Sequence, residues 1–414
     1  MNHFIRKNGR LMAEEVDVEK LAQEYGTPLY VYSAATFRRH FDAFDSAFDG
    51  MNHLTCYSVK ANGNLSILKL LGEMGAGVDI VSGGELYRAL KAGIPGERIV
   101  FSGVGKTDED IRRALDAGIL QFNVESLEEM HSIGRVAQDC GKVANVAVRI
   151  NPDVDPHTHP YISTGMKKNK FGLDLKKSLE AYRYAHEHAA LVPTGIDCHI
   201  GSQLTSLDPF LEALDKLLAF YKNLQDEGIN IKYLDLGGGL GITYDEEEPP
   251  HPAEFGKALK EKLAGLPLTL ILEPGRVIAG NAGILVFKVL YNKKTELKHF
   301  VIVDAAMNDL VRPALYGSFH RIEEVVEQGR APLSVDVVGG ICESTDFLAR
   351  DREIPAVEHG EYLVAFSAGA YGFTMASQYN ARPRAAEVMV DGSNAKLVRK
   401  RETYEDLTQL EELF

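Results

Sequence analysis

The sequence predicts an α/β fold: a (β/α)8, TIM-like barrel followed by a mostly β C-terminal domain that the N-terminal segment joins. Short apolar segments of strand length alternate with segments of helical spacing from about residue 56 to residue 273. Eight such units over roughly 220 to 250 residues are what a (β/α)8 barrel requires. Beyond residue 276, apolar segments follow one another with turn signals and little helical spacing. A doubly wound open sheet is the alternative topology for the first part.

The predicted elements occur in a regular order along the chain. The barrel strands are predicted at Cys56–Lys60, Val78–Ser82, Ile99–Gly103, Gln121–Glu125, Val146–Ile150, Gly195–Ile200, Tyr233–Leu236 and Leu268–Glu273. Helical spacing is clearest at Leu65–Leu71, Gly84–Leu90, Asp108–Leu115 and Phe210–Leu218. The β domain is predicted to contain strands at Leu285–Leu290, Phe300–Asp304, Leu333–Val338 and Tyr362–Phe366.

The length of 414 residues favours two domains. We expect residues 1–30 to pack with the β domain, residues 31–276 to form the barrel, and residues 277–414 to form the β domain with a C-terminal tail. The segment Pro28–Tyr32 has the pattern of a further strand before the barrel, which we expect to pair with the β domain.

Composition excludes several classes of function. Lys and Arg total 45 against 59 Asp and Glu, so the net charge of −14 argues against nucleic-acid or anionic-membrane binding through a bulk positive field. No apolar run of about 18 residues and no signal-peptide pattern occurs, so we expect a cytoplasmic protein without membrane contact. The four cysteines are widely scattered and form no Cys-x-x-Cys pair, which supports neither a disulfide framework nor a metal site.

Lys60 is the first candidate for chemistry, because it ends the first predicted strand just before the turn signal Asn62-Gly63. A lysine amine that is partly withdrawn from water has a lowered pKa, and its neutral form can bond to an aldehyde as a Schiff base. The alternative is that Lys60 lies just past the strand and extends into solvent.

Other reactive side chains also end predicted strands, and barrel enzymes place their chemistry at the carboxyl ends of strands. His199 lies near the end of the sixth predicted strand and Glu273 ends the eighth, while the seventh leads into the glycine loop Gly237–Gly239. Glycines let backbone N–H groups approach an anion closely, particularly where a helix begins just beyond. The spacing is neither a dinucleotide fingerprint nor a P-loop, so a single phosphate is the ligand it favours. Ser202 and the backbone of Gly275-Arg276 offer further donors.

Together, an amine, a phosphate cradle, a histidine and a carboxylate match the needs of pyridoxal phosphate. The lysine holds the aldehyde, His199 stacks on the ring, and Glu273 pairs with the ring nitrogen. A carboxylate there keeps the nitrogen protonated, which favours the strong electron sink that loss of CO2 needs. Taken alone, His199 is more typical of a satisfied core histidine, and Glu273 is more typical of a carboxylate at a helix start.

The sequence resembles the diaminopimelate decarboxylase family, which has the alanine racemase-like fold (fold type III) of pyridoxal phosphate enzymes. The resemblance runs from about residue 27 to residue 385. It is carried by motifs in the family's order, at Tyr57–Asn62, Val78–Glu85, His199–Gln203, Leu236–Gly239, Glu273–Arg276, Arg312–Gly317 and Cys342–Asp346.

The resemblance implies a role for each matched residue in cofactor binding. Lys60 would be the Schiff-base lysine, His199 the stacking residue and Glu273 the partner of the pyridine nitrogen. The remaining cofactor-binding residues that it implies are Asp79, Ser202, Gly238, Gly239, Gly275, Arg276 and Tyr371.

The resemblance also implies substrate-binding residues and an obligate homodimer whose active sites draw on both chains. Cys342 would be the proton donor and Glu343 the ligand of a substrate amino group, both from the partner chain. The residues implied to bind substrate are Arg276, Arg312, Tyr316, Glu343 and Tyr371. Arginine binds carboxylates through two parallel hydrogen bonds, which suits a dicarboxylate substrate.

The function that the resemblance implies is decarboxylation of meso-2,6-diaminopimelate at its D centre, giving L-lysine and CO2 as the last step of lysine biosynthesis. A decarboxylase of ornithine, arginine or carboxynorspermidine is the alternative on the same fold, and Arg312 counts against it because a cationic substrate end favours an acidic partner. An amino-acid racemase of this fold pairs the ring nitrogen with arginine, so Glu273 counts against that reaction. A non-catalytic protein that carries pyridoxal phosphate is a further alternative.

Overall fold

Residues 2–155 and 170–414 are described by the computed structural model, and the chain divides into two units. Unit 1 comprises Met1–Arg39, Thr243–Glu247 and Ala279–Phe414, and unit 2 comprises His40–Ile242 and Glu248–Ile278. The sequence places the joins after residues 30 and 276, whereas the units meet after residues 39 and 278, and residues 243–247 belong to unit 1 rather than to the barrel.

The N-terminal residues form a small antiparallel sheet, one further strand and two helices. These elements are β1 (Phe4–Lys7), β2 (Arg10–Ala13), β3 (Val16–Asp17), α1 (Val18–Tyr25), β4 (Leu29–Ser33) and α2 (Ala34–Asp45). Helix α1 begins at a typical N-cap, because the Asp17 side chain accepts a hydrogen bond from the backbone N–H of Glu19. All five residues of β4 are buried.

Unit 2 contains a closed barrel of eight parallel strands. They are β5 (His53–Ser58), β6 (Gly77–Ile80), β7 (Ile99–Phe101), β8 (Gln121–Val124), β9 (Ala144–Arg149), β10 (Leu191–Asp197), β11 (Tyr233–Asp235) and β12 (Thr269–Leu272). Pairing of β12 with β5, where Leu270 lies opposite His53, closes the barrel. The predicted barrel is therefore confirmed, and the alternative of an open sheet is wrong.

Helices connect the barrel strands. They are α3 (Leu65–Glu73), α4 (Gly83–Lys91), α5 (Asp108–Ala117), α6 (Leu127–Asp139), α7 (Leu175–Glu187), α8 (Asp208–Asp226) and α9 (Pro252–Leu263). Several begin where a polar side chain caps the first turn; Thr107 and Asp110 form a capping box at the start of α5. Among the helices of the described residues, none is long and apolar enough to cross a membrane.

The rest of the chain is mostly β. Its elements are α10 (Arg276–Ala279), β13 (Gly283–Lys294), β14 (His299–Val303), α11 (Arg312–Tyr316), β15 (Ile322–Glu324), β16 (Pro332–Val338), β17 (Phe347–Pro355), β18 (Tyr362–Ala365), β19 (Ala386–Asp391), β20 (Asn394–Arg399) and α12 (Tyr404–Thr408). Strand β4 lies between β13, to which it is antiparallel, and β19, to which it is parallel. The N-terminal segment thus joins the β domain, as predicted.

Several predicted strands extend past the observed ends. Strand β5 ends at Ser58, and Lys60 lies in the 3-10 turn Val59–Ala61 that follows. Ile200 and Leu236 also lie beyond their strands, yet they are only 2% and 7% exposed. An apolar pattern reports burial rather than backbone pairing, so it does not distinguish a strand from a buried loop that continues it.

Candidate active site

The predicted cofactor-binding residues of unit 2 follow strands that are neighbours in the barrel. Strands β10, β11, β12, β5 and β6 are adjacent in that order. His199 lies just after β10, Gly238 after β11, Glu273 after β12 and Lys60 after β5, while Asp79 lies within β6. Because the strands are parallel, their carboxyl ends meet at one rim, which brings together residues that are far apart in sequence.

Lys60 is held at this rim by a buried carboxylate. Its Nζ donates to Asp79 Oδ2 at 2.9 Å, and Ser58 Oγ donates to the same oxygen at 2.6 Å. The Asp79 side chain is fully buried, whereas 36% of the Lys60 side chain is exposed. Among the described residues, Asp79 Oδ1 has no hydrogen-bond partner. The amine is therefore anchored on one side by an anion and accessible on the other.

The His199 ring is neutral and held in one tautomer. Burial lowers the pKa of His199 well below its usual range, and the positive charges of Arg149 and Lys60 lower it further. The backbone N–H of Gly238 donates to Nδ1 at 3.1 Å. Nδ1 is thus the acceptor nitrogen, and the single ring proton lies on Nε2. A flat, uncharged imidazole at this rim suits stacking against an aromatic ring.

The glycine loop requires glycine because other backbone lies against it. A Cβ at Gly238 would lie 2.2 Å from the carbonyl oxygen of Glu273, and one at Gly239 would lie 2.5 Å from the carbonyl oxygen of Gly201. Gly239 also has a φ of +117°, which L side chains rarely adopt. The next helix, α9, begins only at Pro252, so any anion at this loop would be bound by loop N–H groups rather than by a helix N-terminus.

The surroundings of the Glu273 carboxyl group favour its protonated form. Burial raises the pKa of Glu273 well above its usual range, and the nearby carboxylates of Asp235 and Asp79 raise it further. Ser102 Oγ donates to Glu273 Oε1 at 3.2 Å, and Asn123 Nδ2 lies 3.3 Å from the same oxygen. The carboxyl thus lies in a polar network inside the barrel.

Sequence reasoning did not find the residues that support Glu273. Asn123 Nδ2 also donates to Asp235 Oδ2 at 3.2 Å. Burial raises the pKa of Asp235 to about 6, and carboxylate oxygens of Asp197, Asp235 and Glu273 all lie within 4.8 Å of one another. The signal in the sequence was polar residues inside short apolar strands, such as Asn123 in β8 and Asp235 in β11, because a polar group is seldom buried without a partner.

A hydrogen bond joins the side chains of Ser202 and Arg276 in unit 2. Arg276 Nη2 donates to Ser202 Oγ at 3.0 Å. Arg276 is buried and is the first residue of α10, directly after Gly275. A guanidinium beside a hydroxyl and a glycine backbone offers donors in the arrangement that phosphate and carboxylate groups bind.

In unit 1, Arg312 and Tyr316 are the first and last residues of α11. Arg312 is buried, and its guanidinium lies 2.9 Å from His320 Nε2 and 4.4 Å from the centre of the Tyr244 ring. Neither His320 nor Tyr244 was predicted from the sequence, because only their contacts with the Arg312 side chain link them to the site.

Cys342 and Glu343 are both exposed on the loop that joins β16 and β17. The backbone N–H of Cys342 donates to Asn380 Oδ1 at 3.0 Å, and the Tyr379 hydroxyl donates to the Glu343 carboxylate. Tyr371 follows β18 and is partly buried, with a left-handed φ of +56°. This loop is therefore held by its own unit while it presents a thiol and a carboxylate to the surroundings.

The predicted site residues thus fall into two sets, one in each unit. Unit 2 brings together Lys60, Asp79, His199, Ser202, Gly238, Gly239, Glu273, Gly275 and Arg276 at the carboxyl ends of the barrel strands. Unit 1 contains Arg312, Tyr316, Cys342, Glu343 and Tyr371.

The residues of unit 2 fit pyridoxal phosphate. An accessible lysine amine lies beside a buried carboxylate, Asp79, one oxygen of which has no hydrogen-bond partner within the described part of the chain. The loop at Gly238 excludes any larger side chain, the imidazole of His199 is neutral, and burial raises the pKa of the Glu273 carboxyl. These are the groups that an aldehyde, a phosphate and a pyridine ring need in one place.

Comparison with known proteins agrees with this fit. Residues 34–280 match the family described as "Pyridoxal-dependent decarboxylase, pyridoxal binding domain". The chain is 51% identical over 415 residues to diaminopimelate decarboxylase from Haemophilus influenzae, which covers 99% of this chain and 99% of that protein. The chain belongs to the diaminopimelate decarboxylase family. The resemblance seen in the sequence is confirmed, and so are the cofactor, pyridoxal phosphate, and the enzyme class, a carboxy-lyase.

Further members of the family share its length and fold. Diaminopimelate decarboxylase from Aquifex aeolicus is 52% identical over 404 residues, covering 97% of this chain and 96% of that protein. The crystal structure of diaminopimelate decarboxylase from Helicobacter pylori, complexed with L-lysine, matches with a TM-score of 0.92 at 45% identity and covers 95% of this chain and 99% of that chain. The predicted fold of a barrel followed by a β domain is the fold of this family.

Proposed function

We propose that this protein decarboxylates meso-2,6-diaminopimelate at its D centre and releases L-lysine and CO2, which is the last step of lysine biosynthesis. The main support is the near-full-length similarity to proteins named for this activity. The buried guanidinium of Arg312 is the chemical support, because it suits a substrate that carries a second carboxylate.

The barrel residues hold the cofactor in this proposal. When bound, pyridoxal phosphate supplies an electron sink for the pair left at Cα as CO2 departs. Lys60 holds its aldehyde, and Asp79 keeps the Lys60 amine at the rim through the 2.9 Å hydrogen bond. Glu273 would donate a proton to the ring nitrogen, and His199 would hold the ring by stacking.

The phosphate is assigned to the donors around the glycine loop. Gly238, Gly239 and Gly275 offer backbone N–H groups, and Ser202 offers a hydroxyl beside Arg276. The tight packing at Gly238 leaves no room for a side chain, so the phosphate can approach the backbone closely. Tyr371 of unit 1 is proposed to add a phenol to the phosphate and substrate contacts.

Substrate selection is assigned to two arginines and a carboxylate. Arg276 and Arg312 bind substrate carboxylates, with Tyr316 beside the latter on α11. Glu343 binds the distal amino group. A substrate that ends in an amine alone, such as ornithine, would leave the Arg312 guanidinium without its carboxylate, which costs binding energy.

Cys342 completes the reaction by donating a proton. The Cys342 thiol would donate a proton to Cα in place of the departing CO2, and the thiolate that remains would regain a proton from water. The exposure of Cys342 and Glu343 on the loop after β16 supports a homodimer in which this loop enters the partner's active site.

Absorbance and CO2 release test the function together. We expect the purified protein to show the absorbance of a lysine-bound cofactor and to release CO2 from meso-diaminopimelate, but not from ornithine or arginine. Lys60→Ala should remove both the absorbance and the activity. A cofactor-loaded protein that releases CO2 from none of the three, or preferentially from ornithine or arginine, would refute the substrate assignment.

Subunit mixing tests the shared site. Dimers of Lys60→Ala and of Cys342→Ala should each be inactive, and random exchange of their subunits should restore up to about a quarter of the wild-type sites, because each mixed dimer contains one intact site. Absence of activity after verified subunit exchange would contradict an active site shared between chains.

A further inference from the structure

The Arg312 guanidinium lies against the ring of a histidine. Nη1 of Arg312 is 2.9 Å from His320 Nε2, and the other ring nitrogen of His320, Nδ1, is 2.9 Å from the carbonyl oxygen of Phe366. His320 is fully buried, and Arg312 is buried as well. Both ring nitrogens thus have a protein partner in the interior of unit 1.

These two partners determine where the ring carries its proton. A guanidinium has only donors and a carbonyl oxygen is only an acceptor. His320 Nε2 must therefore accept from Arg312, and Nδ1 must carry the hydrogen that is donated to Phe366. The histidine is neutral and is restricted to one tautomer, so it holds the arginine without cancelling its positive charge.

Two more side chains hold the same guanidinium. Nη2 of Arg312 donates to Ser318 Oγ at 3.2 Å. The Tyr244 ring lies beneath the guanidinium at 4.4 Å and meets the His320 ring edge-on at 5.5 Å between centroids. A hydroxyl, an aromatic face and a neutral imidazole thus fix the plane of the guanidinium. Orientation matters here because arginine binds a carboxylate through a planar fork.

We propose that His320 is a positioning residue that fixes Arg312 for binding the distal carboxylate of the substrate, and thereby makes the enzyme selective for a diamino-dicarboxylic acid. This inference rests on the proposed function, in which Arg312 binds that carboxylate. His320 itself touches neither substrate nor cofactor in this proposal. Its loss should weaken substrate binding while leaving the chemistry at Cα unchanged.

Two substitutions separate the two hydrogen bonds of the ring. In His320→Gln the side-chain oxygen can occupy the position of Nε2 and still accept from Arg312. In His320→Asn the amide can occupy the position of Nδ1 and still donate to Phe366, but nothing accepts from Arg312. We expect KM for meso-diaminopimelate to rise roughly 10-fold to 100-fold in His320→Asn with kcat within about threefold of wild type, and most of the loss to be recovered in His320→Gln.

The control is His359→Asn, because His359 is an exposed histidine of the same unit whose ring bonds only to the carbonyl oxygen of Leu290 among the hydrogen bonds described. It should leave both constants unchanged. Equal KM values for the Asn and Gln variants, or a fall in kcat with KM unchanged, would overturn the proposal. If His320→Asn does not fold, Ser318→Ala removes the partly exposed second partner, and an unchanged KM there would also overturn it.

The proposed function can fail separately. Wild-type protein that releases no CO2 from meso-diaminopimelate would refute the proposed function itself. Active wild-type protein whose KM rises on Arg312→Lys but not on His320→Asn would preserve the function and refute only the role of His320.

Discussion

Replacing Glu273 by Gln tests whether the barrel interior holds a proton on this residue. Glu273→Gln keeps the size of the side chain and an oxygen that can accept from Ser102 and Asn123, but it removes the titratable group. The folded protein raises the pKa of Glu273 through burial and through the carboxylates of Asp235 and Asp79. At a pH where the unfolded chain would ionise this carboxyl, keeping it protonated in the folded protein costs free energy of folding. Glu273→Gln removes that cost.

The size of the effect follows from proton linkage. The unfolded chain releases the Glu273 proton near pH 4.5, while the folded chain retains it to much higher pH. The folded state therefore binds more protons, and its stability falls as pH rises from the unfolded pKa toward the folded one. One proton corresponds to at most about 1.4 kcal/mol per pH unit. Between pH 5 and pH 7, Glu273→Gln should thus gain up to about 2.7 kcal/mol relative to wild type.

The assay is urea unfolding of cofactor-free protein at fixed protomer concentration, since the proposed dimer makes stability depend on concentration. Glu180→Gln, an exposed glutamate on α7, is the control and should show no pH-dependent gain. With the cofactor bound, Glu273→Gln should lower kcat about 100-fold or more, because an amide can donate a hydrogen bond to the ring nitrogen but cannot transfer a proton to it. A stability difference that stays flat from pH 5 to pH 7 would refute the proton assignment.

Two further substitutions test the barrel. Arg149→Met breaks the buried ion pair with Glu125, whose atoms lie 2.7 Å apart, and should cost about 3–5 kcal/mol in unfolding free energy because the Glu125 charge stays buried. The same change at the exposed Arg135, which pairs with Asp108 at the surface, should cost far less, and equal costs for the two substitutions would contradict this expectation. Gly238→Ala should abolish the absorbance of bound cofactor, because its Cβ would lie 2.2 Å from a backbone oxygen. Gly105→Ala, where a Cβ meets open space, should leave the absorbance unchanged, and a yellow Gly238→Ala protein would show that the loop adapts.

The barrel and its rim were predictable because both follow from simple patterns. Strand-length apolar segments alternate with helical spacing, and parallel strands place their carboxyl ends together. Lys60, His199 and Glu273 each lie at the end of such a segment. Counting eight strands predicts a closed parallel barrel, and that alone places the three residues at one rim. The pattern placed the ends of the strands too late in the sequence. The loops that carry Lys60 and His199 contain buried residues that continue the apolar signal.

Other features of the site depend on distances that no sequence pattern contains. In the sequence His320 is a histidine between predicted strands. Only the 2.9 Å distance between its Nε2 and Arg312 links it to the site. Burial raises the pKa of Glu273, and the closeness of Asp235, which belongs to another strand, raises it further. Tyr244 lies within the stretch assigned to the barrel from sequence, yet residues 243–247 belong to unit 1, where its ring packs on Arg312.

Following one carboxyl group of the substrate tests the proposed reaction most directly. The cofactor-loaded protein would be incubated with meso-diaminopimelate that carries ¹³C in the carboxyl group of its D centre, and CO2 and lysine would be analysed by mass spectrometry. Decarboxylation at the D centre predicts labelled CO2, one equivalent of unlabelled L-lysine, and neither product from Lys60→Ala. Label retained in lysine, or lysine absent while CO2 is released, would contradict decarboxylation at the D centre.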